Sequence, residues 1–428
     1  MKFKIFNFAK SIWSYNRSLS GEGNRATLKK IKSVVKKLKL KDIKSGTKCF
    51  DWNIPKEWHV EDAYIVGPNG KKFCDFKKNN LHLVGYSIGV KKTVNFEKLK
   101  KHLHFLKNQP DAIPYVTSYY KKNWGFCISY NDYKKLKKGS YKVVIKSKLF
   151  NGKIDYGEII IRGKSKKEIL LSTNICHPSM ANNEISGISV LTFLAKYLCK
   201  KNYFTYRIIF IPETIGSIFY ISKYKKILKK NVVAGYVLSC IGDDRNYSFL
   251  PSKYGNTLSD SAANHVFKWK IKKYKKFEWV DRGSDERQFC SPGVDLPIAS
   301  VMRTKHGEYK EYHTSLDKLG KVVTEKGLQG GFNLIKDIIT IIENNFYPLS
   351  VSSCEPNLGK RNLYPTTSKK DAYSKEFEHM MEILTWSDGK NSLIDISEKL
   401  NVQLWDLIPI AKKLELKGVI KLNKYRIE

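Results

Sequence analysis

An α/β domain with a mostly parallel or mixed central sheet flanked by helices, carrying a small β-rich insert and followed by a winged helix, is the fold class this sequence predicts. Three observations predict it. From about Tyr141 apolar strand-like runs alternate with helix-like ones. Between about Cys49 and Ser129 short apolar runs gather around Gly and Asn turns. The last block reads helix, helix, turn, helix, strand.

The chain opens helically up to about Lys44, with Leu28, Ile31, Val34, Val35 and Leu38 at helix spacing among lysines. The runs DAYIVGPNGKKFCDF and LHLVGYSIGV then read as β-hairpins. YKVVIKSKL, GEIIIRG, EILLSTNI, YRIIFIP, VVAGYVLSC and LPIASVM read as strands. ISVLTFLAKYLCKK, SIFYISKYKKIL, SDSAANHVFKWKIKK and GLQGGFNLIKDIITIIENN read as helices. Pro348 to Asp371 is polar and reads as a linker. Ala372–Trp386, LIDISEKL and QLWDLIPIAKKLELK are the three helices of the last block, and VIKLNKYRIE is its strand or wing.

Hydrophobic residues make up 42% of the 428 and aromatics 13%, which excludes a mainly disordered chain. The net charge of +38 invites a nucleic-acid reading. Only ten of the 78 basic residues are Arg, however, and the lysines are spread in short runs, as a compositional bias would leave them. The third helix of the last block offers Asp406 and Glu415 and no Arg, the usual reader of guanine, which argues against sequence-specific DNA binding. None of the eight cysteines forms a C-x-x-C pair, so zinc-ribbon and thioredoxin-type motifs are absent. Lys4 and Lys10 break any apolar leader, and no uncharged apolar run reaches the ~18 residues of a membrane span. These features point to a cytoplasmic protein without a membrane span. They leave its oligomeric state, a homo-oligomer included, open.

Ionisable residues concentrate where predicted strands end, the place where open α/β sheets bind ligands. His177 follows EILL in STNICHPSMANNEISG, and Glu213 follows YRIIFI in PETIGS. Asp285 lies in RGSDERQFCSPG before LPIASV, and His313 lies in EYHTSLDKL after it. Imidazoles and carboxylates from separate strand ends can converge on one divalent ion.

With RSLSGEGNRATL, DWNIPKEWHVEDAYI, NLHLVGYS, DAIPYVTSYYKKNWGFC, CHPSMANNEISG, YRIIFIPETIGS, RGSDERQFCSPGVDLP and EYHTSLDKL, nearly the whole chain resembles a bacterial family of aminopeptidase-like proteins. That family is associated with polysaccharide biosynthesis. The resemblance implies a zinc-exopeptidase-like α/β domain at 1–48 and 130–349, a β-rich insert at 49–129, a linker at 350–370 and a winged helix at 371–428. It implies one or two zinc ions, with His177, Asn183, Glu213, Asp243 and His313 at the metal positions. Glu213 matches the general base and Asp285 a pocket-lining Asp, and the substrate would be a peptide or an N-acyl sugar. Two departures stand out. Asn183 occupies the place expected of the metal-bridging Asp, and a neutral amide is a poor bridge. PETIGS holds a single Glu where a base and a ligand are both expected, and Asp243 only weakly matches a further ligand. Glu184, beside Asn183, is expected to point elsewhere. The implied activity is therefore zinc-dependent amide hydrolysis, and the alternative is a degenerate aminopeptidase fold acting as a binding or regulatory protein.

Overall fold

A computed structural model describes residues 2–200, 202–364 and 374–427. The chain divides into two compact units, residues 1–259 with 273–335, and residues 260–272 with 336–428.

The first unit begins with helices α1 (Lys2–Ile12) and α2 (Glu22–Val34). Lys39–Lys44, expected to be helical, is instead strand β1. Lys39 and Lys44 stay exposed, Lys41 is half-buried and only Ile43 is buried, the pattern of a charged edge strand whose partner lies far away in sequence. Next come β2 (Glu57–Val66), β3 (Lys72–Phe73), β4 (Val90–Asn95) and β5 (Ser140–Phe150). They form a four-stranded sheet in the order β3-β2-β5-β4. β2 and β3 are the predicted hairpin, turning at Gly70 with φ 76°. LHLVGYSIGV is not a hairpin. A short 3-10 turn at Asn80–His82 and a left-handed Tyr86 (φ 64°) interrupt it, and before Val90, where β4 begins, only the single-residue bridges of Leu83 and Gly85 join it to other segments. β5 takes its partners from within this sheet, so the boundary drawn at residue 129 passes through the sheet.

The central sheet contains β6 (Lys153–Ile161), β7 (Glu168–Asn174), β8 (Thr205–Ile211), β9 (Val232–Val237), β10 (Ser248–Leu250), β11 (Lys275–Lys276) and β12 (Ile298–Met302). Its order is β1-β6-β8-β7-β9-β12-β10-β11. The inner strands β8, β7, β9 and β12 run parallel, and the flanking pairs β1·β6, β6·β8 and β12·β10 are antiparallel. Every residue of β7 and β8 is buried, as befits strands covered on both faces. Arg207 in β8 is tolerated there because Glu168 on β7 accepts from it twice, at 2.6 and 2.9 Å, and Glu158 on β6 once more. Helices α3 (Ser186–Leu198) and α4 (Ile215–Asn231) link the inner strands. A Cβ on Gly187 would lie 2.4 Å from both the Leu238 carbonyl and the Thr173 hydroxyl. Glycine thus lets the start of α3 press against the ends of β7 and β9.

The helix expected over 259–273 is α5 (Leu258–Val266), continued by a wider π turn at Phe267–Ile271. The closing helix is α6 (Glu325–Asn344). In the second unit, β13 (Tyr347–Ser350) pairs antiparallel with β14 (Ile420–Asn423) around α7 (Lys375–Thr385), α8 (Leu393–Leu400) and α9 (Leu404–Leu416). Asn401, left-handed at φ 52°, makes the tight turn between α8 and α9. The start of the predicted linker is thus a strand. Its pairing is non-local, so the polar texture of 348–371 does not reveal it. Residues 365–373, which span the end of that linker and the predicted start of the winged helix, lie outside the described residues.

Candidate active site

β7 ends at Asn174, and three residues later His177 emerges from the C-terminal edge of the parallel strands. The turn Ala181–Ile185 folds back so that one Glu184 oxygen, Oε2, accepts from the backbone N–H groups of Cys176 (2.7 Å) and His177 (2.6 Å) and meets His177 Nδ1 at 2.7 Å. Arg17 Nε donates to the other Glu184 oxygen at 2.9 Å and to the His177 carbonyl at 3.1 Å, and Arg17 Nη1 donates to the Ile12 carbonyl at 2.7 Å. Both side chains of this ion pair are fully buried. Engaging Nδ1 in this way orients the ring and assigns Nε2 to the open side, the arrangement that supports metal-binding imidazoles. Burial works against charge on His177, but Cys176 and Glu184 outweigh it and hold its pKa well above the usual value.

His313 sits in a left-handed conformation (φ 53°) with its ring stacked on Tyr312 at 3.9 Å. Its centroid is 5.3 Å from that of His177, and Tyr115 packs against both rings at 5.2 and 5.3 Å. Its Nε2 is buried without a hydrogen-bond partner. Burial, together with His177 and His306, lowers its pKa to about 3, so the ring is neutral and keeps a lone pair.

Glu213 follows β8. Ser284 donates to its Oε1 at 2.9 Å, while its Oε2 lies 3.9 Å from His177 Nε2. Asp285 is fully buried and does not face the imidazoles through a free oxygen. One of its oxygens accepts from the Thr214 N–H at 2.8 Å and the other from the Ser217 hydroxyl at 2.5 Å, so it braces the Glu213 turn. Burial and the neighbouring Glu213 charge raise its pKa to about 7.

Asn183 is clamped by its backbone. Its N–H donates to Asp317 Oδ2 at 3.1 Å, and its carbonyl accepts from Ser239 Oγ at 2.8 Å. Asp317 also accepts from the Asn182 N–H at 2.8 Å and from the Tyr309 hydroxyl at 3.2 Å. Asp243 is committed elsewhere. Asn182 Nδ2, the Thr304 N–H and hydroxyl and the Arg245 N–H occupy both its oxygens, and it ties down the turn under Asn183.

The structure therefore places His177 near both His313 and Glu213, sets Asp285 and Asp243 as braces of the neighbouring turns, and holds Asn183 in the turn that follows His177. Sequence reasoning missed Arg17 and Tyr115, placed Asp317 in the stretch EYHTSLDKL without giving it a role, and sent Glu184 away from the site. Arg17 lay within one of the quoted stretches, RSLSGEGNRATL, but nothing local tied it to Glu184. Among the described residues only Cys176, His177 and Glu184 have three ligand-type atoms all within 4.8 Å of one another, and His177, His313 and Glu213 stand wider apart. The tighter trio is poorly suited to an ion, because Arg17 and two N–H groups occupy Glu184, and burial raises the Cys176 thiol to about 11.

Residues 6–345 match the family described as a domain of unknown function, DUF4910, and residues 346–422 match a winged helix-turn-helix family. A Clostridium acetobutylicum protein named for polysaccharide biosynthesis and an aminopeptidase-like domain is 41% identical over 421 residues, which is 98% of this chain and 96% of the relative. A crystal structure from Clostridium acetobutylicum, named as a peptidase, superposes with a TM-score of 0.91 at 40% identity, covering 98% of this chain and 96% of the other. The zinc aminopeptidase BSAP from Bacillus subtilis superposes with a TM-score of 0.58 at 14% identity, covering 79% of this chain and 93% of BSAP, a likeness of fold alone. The central domain thus has the aminopeptidase-like fold.

Proposed function

We propose that this chain, which belongs to the DUF4910 family, is an amide hydrolase of the aminopeptidase type that works with one zinc ion in surface-polysaccharide biosynthesis. The observation that carries this reading is the unpartnered, buried Nε2 of His313 beside His177, whose Nδ1 is already taken by Glu184. Two nitrogen donors and the Glu213 carboxylate are a fitting donor set for zinc. A zinc ion held by His177, His313 and Glu213 would polarise an amide carbonyl and acidify a bound water.

The chain's own groups do the rest. Glu184 and Arg17 fix the His177 ring. Ser284 holds one Glu213 oxygen and leaves the other on the side of His177 Nε2, as the third zinc ligand requires. Asp285 positions the Glu213 turn, and its raised pKa lets it keep a proton next to that charge. Tyr115 shields both rings from water. With Asn183 in place of a bridging carboxylate, the site suits a single ion. The relative named for polysaccharide biosynthesis favours an N-acyl sugar over a peptide. The test is metal analysis of the purified full chain, with aminopeptidase and sugar N-deacetylase assays. About one zinc per chain, lost in His177→Ala and His313→Ala, and turnover that follows the zinc are expected. A chain that retains no zinc would point to the non-catalytic binding protein instead.

A further inference from the structure

We infer that a hollow beside the two histidine loops binds the phosphate of a phosphorylated sugar. It has a volume of about 610 Å³, within the usual range of small-molecule sites. Four cations line it, Lys10, Lys77, Lys78 and Lys318, and no carboxylate does among the described residues. The lysine-rich composition alone does not produce this. The hollow lined by Arg25 and Lys44 also holds Asp42 and Glu57, and the one lined by Lys413 also holds Glu376 and Asp406. Lys77 has Asp62 at 3.7 Å, and Lys10 lies over the Phe6 ring. Lys78 and Lys318 are exposed; Asp75, outside the lining, feels the charge of Lys78 but makes its ion pair with Lys72. Four cations against no carboxylate in the lining favour an anion from outside.

The remaining walls suit a sugar ester better than a bare ion. Trp13 offers an aromatic face, and Asn80 has a buried Oδ1 without a donor. Through Asn16 and Asn80 the hollow adjoins a cavity of about 10 Å³, room for a single hydroxyl at most, where the fully buried Arg17 leaves Nη2 without an acceptor. Unmet buried donors and acceptors are rare, and hydroxyl groups of a ligand satisfy both kinds. Ser179 and Ser315 belong to the wall as well, each two residues beyond a site histidine. Tyr115 borders the small cavity on one side and packs against both imidazoles on the other, so the phosphate site is next to the reaction centre and distinct from it. The phosphate part of this inference stands on the lysines. The sugar part rests on the polysaccharide reading proposed above.

Calorimetric titration of the full chain, zinc-loaded and zinc-free, tests it with four probes: UDP-N-acetylglucosamine, N-acetylglucosamine 1-phosphate, inorganic phosphate and N-acetylglucosamine. Both esters should bind, more tightly than inorganic phosphate, and the neutral sugar should not. Which ester binds tighter identifies the source, and either order upholds the site. In Lys78→Ala/Lys318→Ala the esters should bind about tenfold more weakly, with the melting temperature unchanged because both side chains are exposed. Ester binding by a chain that holds no zinc would remove the proposed hydrolase activity and leave this site standing. Inorganic phosphate binding as tightly as the esters, neutral sugar binding as tightly as either, or undiminished ester binding by the double variant would overturn the inference.

Discussion

Glu184→Gln perturbs the site without touching a group proposed to hold metal. The substitution keeps the side chain's size but leaves the Arg17 charge buried and unpaired. It also removes the anion that receives two N–H groups and His177 Nδ1. Breaking one side of a buried pair costs about 3–5 kcal/mol. The first unit spans residues 1–259 and 273–335. For a unit of that size, unfolding entropy is ~0.7 kcal/mol/K, so its melting temperature should fall by about 4–7 °C. Loss of the group that orients a ligand should weaken zinc binding about 10–100-fold. Adding Arg17→Met removes the unpaired charge and should recover most of the stability while zinc binding stays weak, because His177 is still unsupported. Scanning fluorimetry and competition with a chromophoric chelator give the two readouts. A single variant that melts within about 1 °C of wild type and binds zinc equally well would refute the reasoning.

Four further outcomes are expected. Asn183→Asp should raise tightly bound zinc from one ion towards two in calorimetric titration, because a carboxylate can face two ions where an amide cannot. Gly187→Ala should destabilise the chain by about 1–3 kcal/mol in urea and weaken zinc binding, because the added Cβ meets backbone oxygen at 2.4 Å. Asp285 has a folded pKa of about 7 against an ordinary value of 3.8, so the folded state holds the extra proton between those values. Its contribution is fully present below about pH 4 and is lost as pH rises through 7. The urea midpoint of the metal-free chain should therefore fall more between pH 5 and 8 in wild type than in Asp285→Asn. In gel-shift assays with random and selected duplexes, the full chain should form only complexes that fade with salt, because α9 has no Arg.

The inner strands could be read from sequence because burial on both faces makes EILLSTN and TYRIIFI continuous apolar runs, and ionisable residues directly after them mark the sheet edge. His177, Glu213 and His313 stand out for that reason. Their support does not, since Arg17 reaches Glu184 across 167 positions of sequence. Glu184 turns back onto His177 because Ala181–Ile185 is a π turn, a geometry that no apolar period announces. Asp243 and Asp285 look like ligands as residue types, yet both spend their oxygens on N–H and hydroxyl donors 61 to 71 positions away in sequence. The strands β1 and β13 were hidden for a related reason, since each is defined by a distant partner.

His177, His313 and Glu213 are proposed to hold one zinc ion. Anomalous diffraction at the zinc edge from crystals of the full chain grown with zinc tests it most directly. One strong peak bounded by His177 Nε2, His313 Nε2 and the Glu213 carboxylate is the predicted result. A peak at Cys176, two full peaks in wild type, or none at all would contradict it.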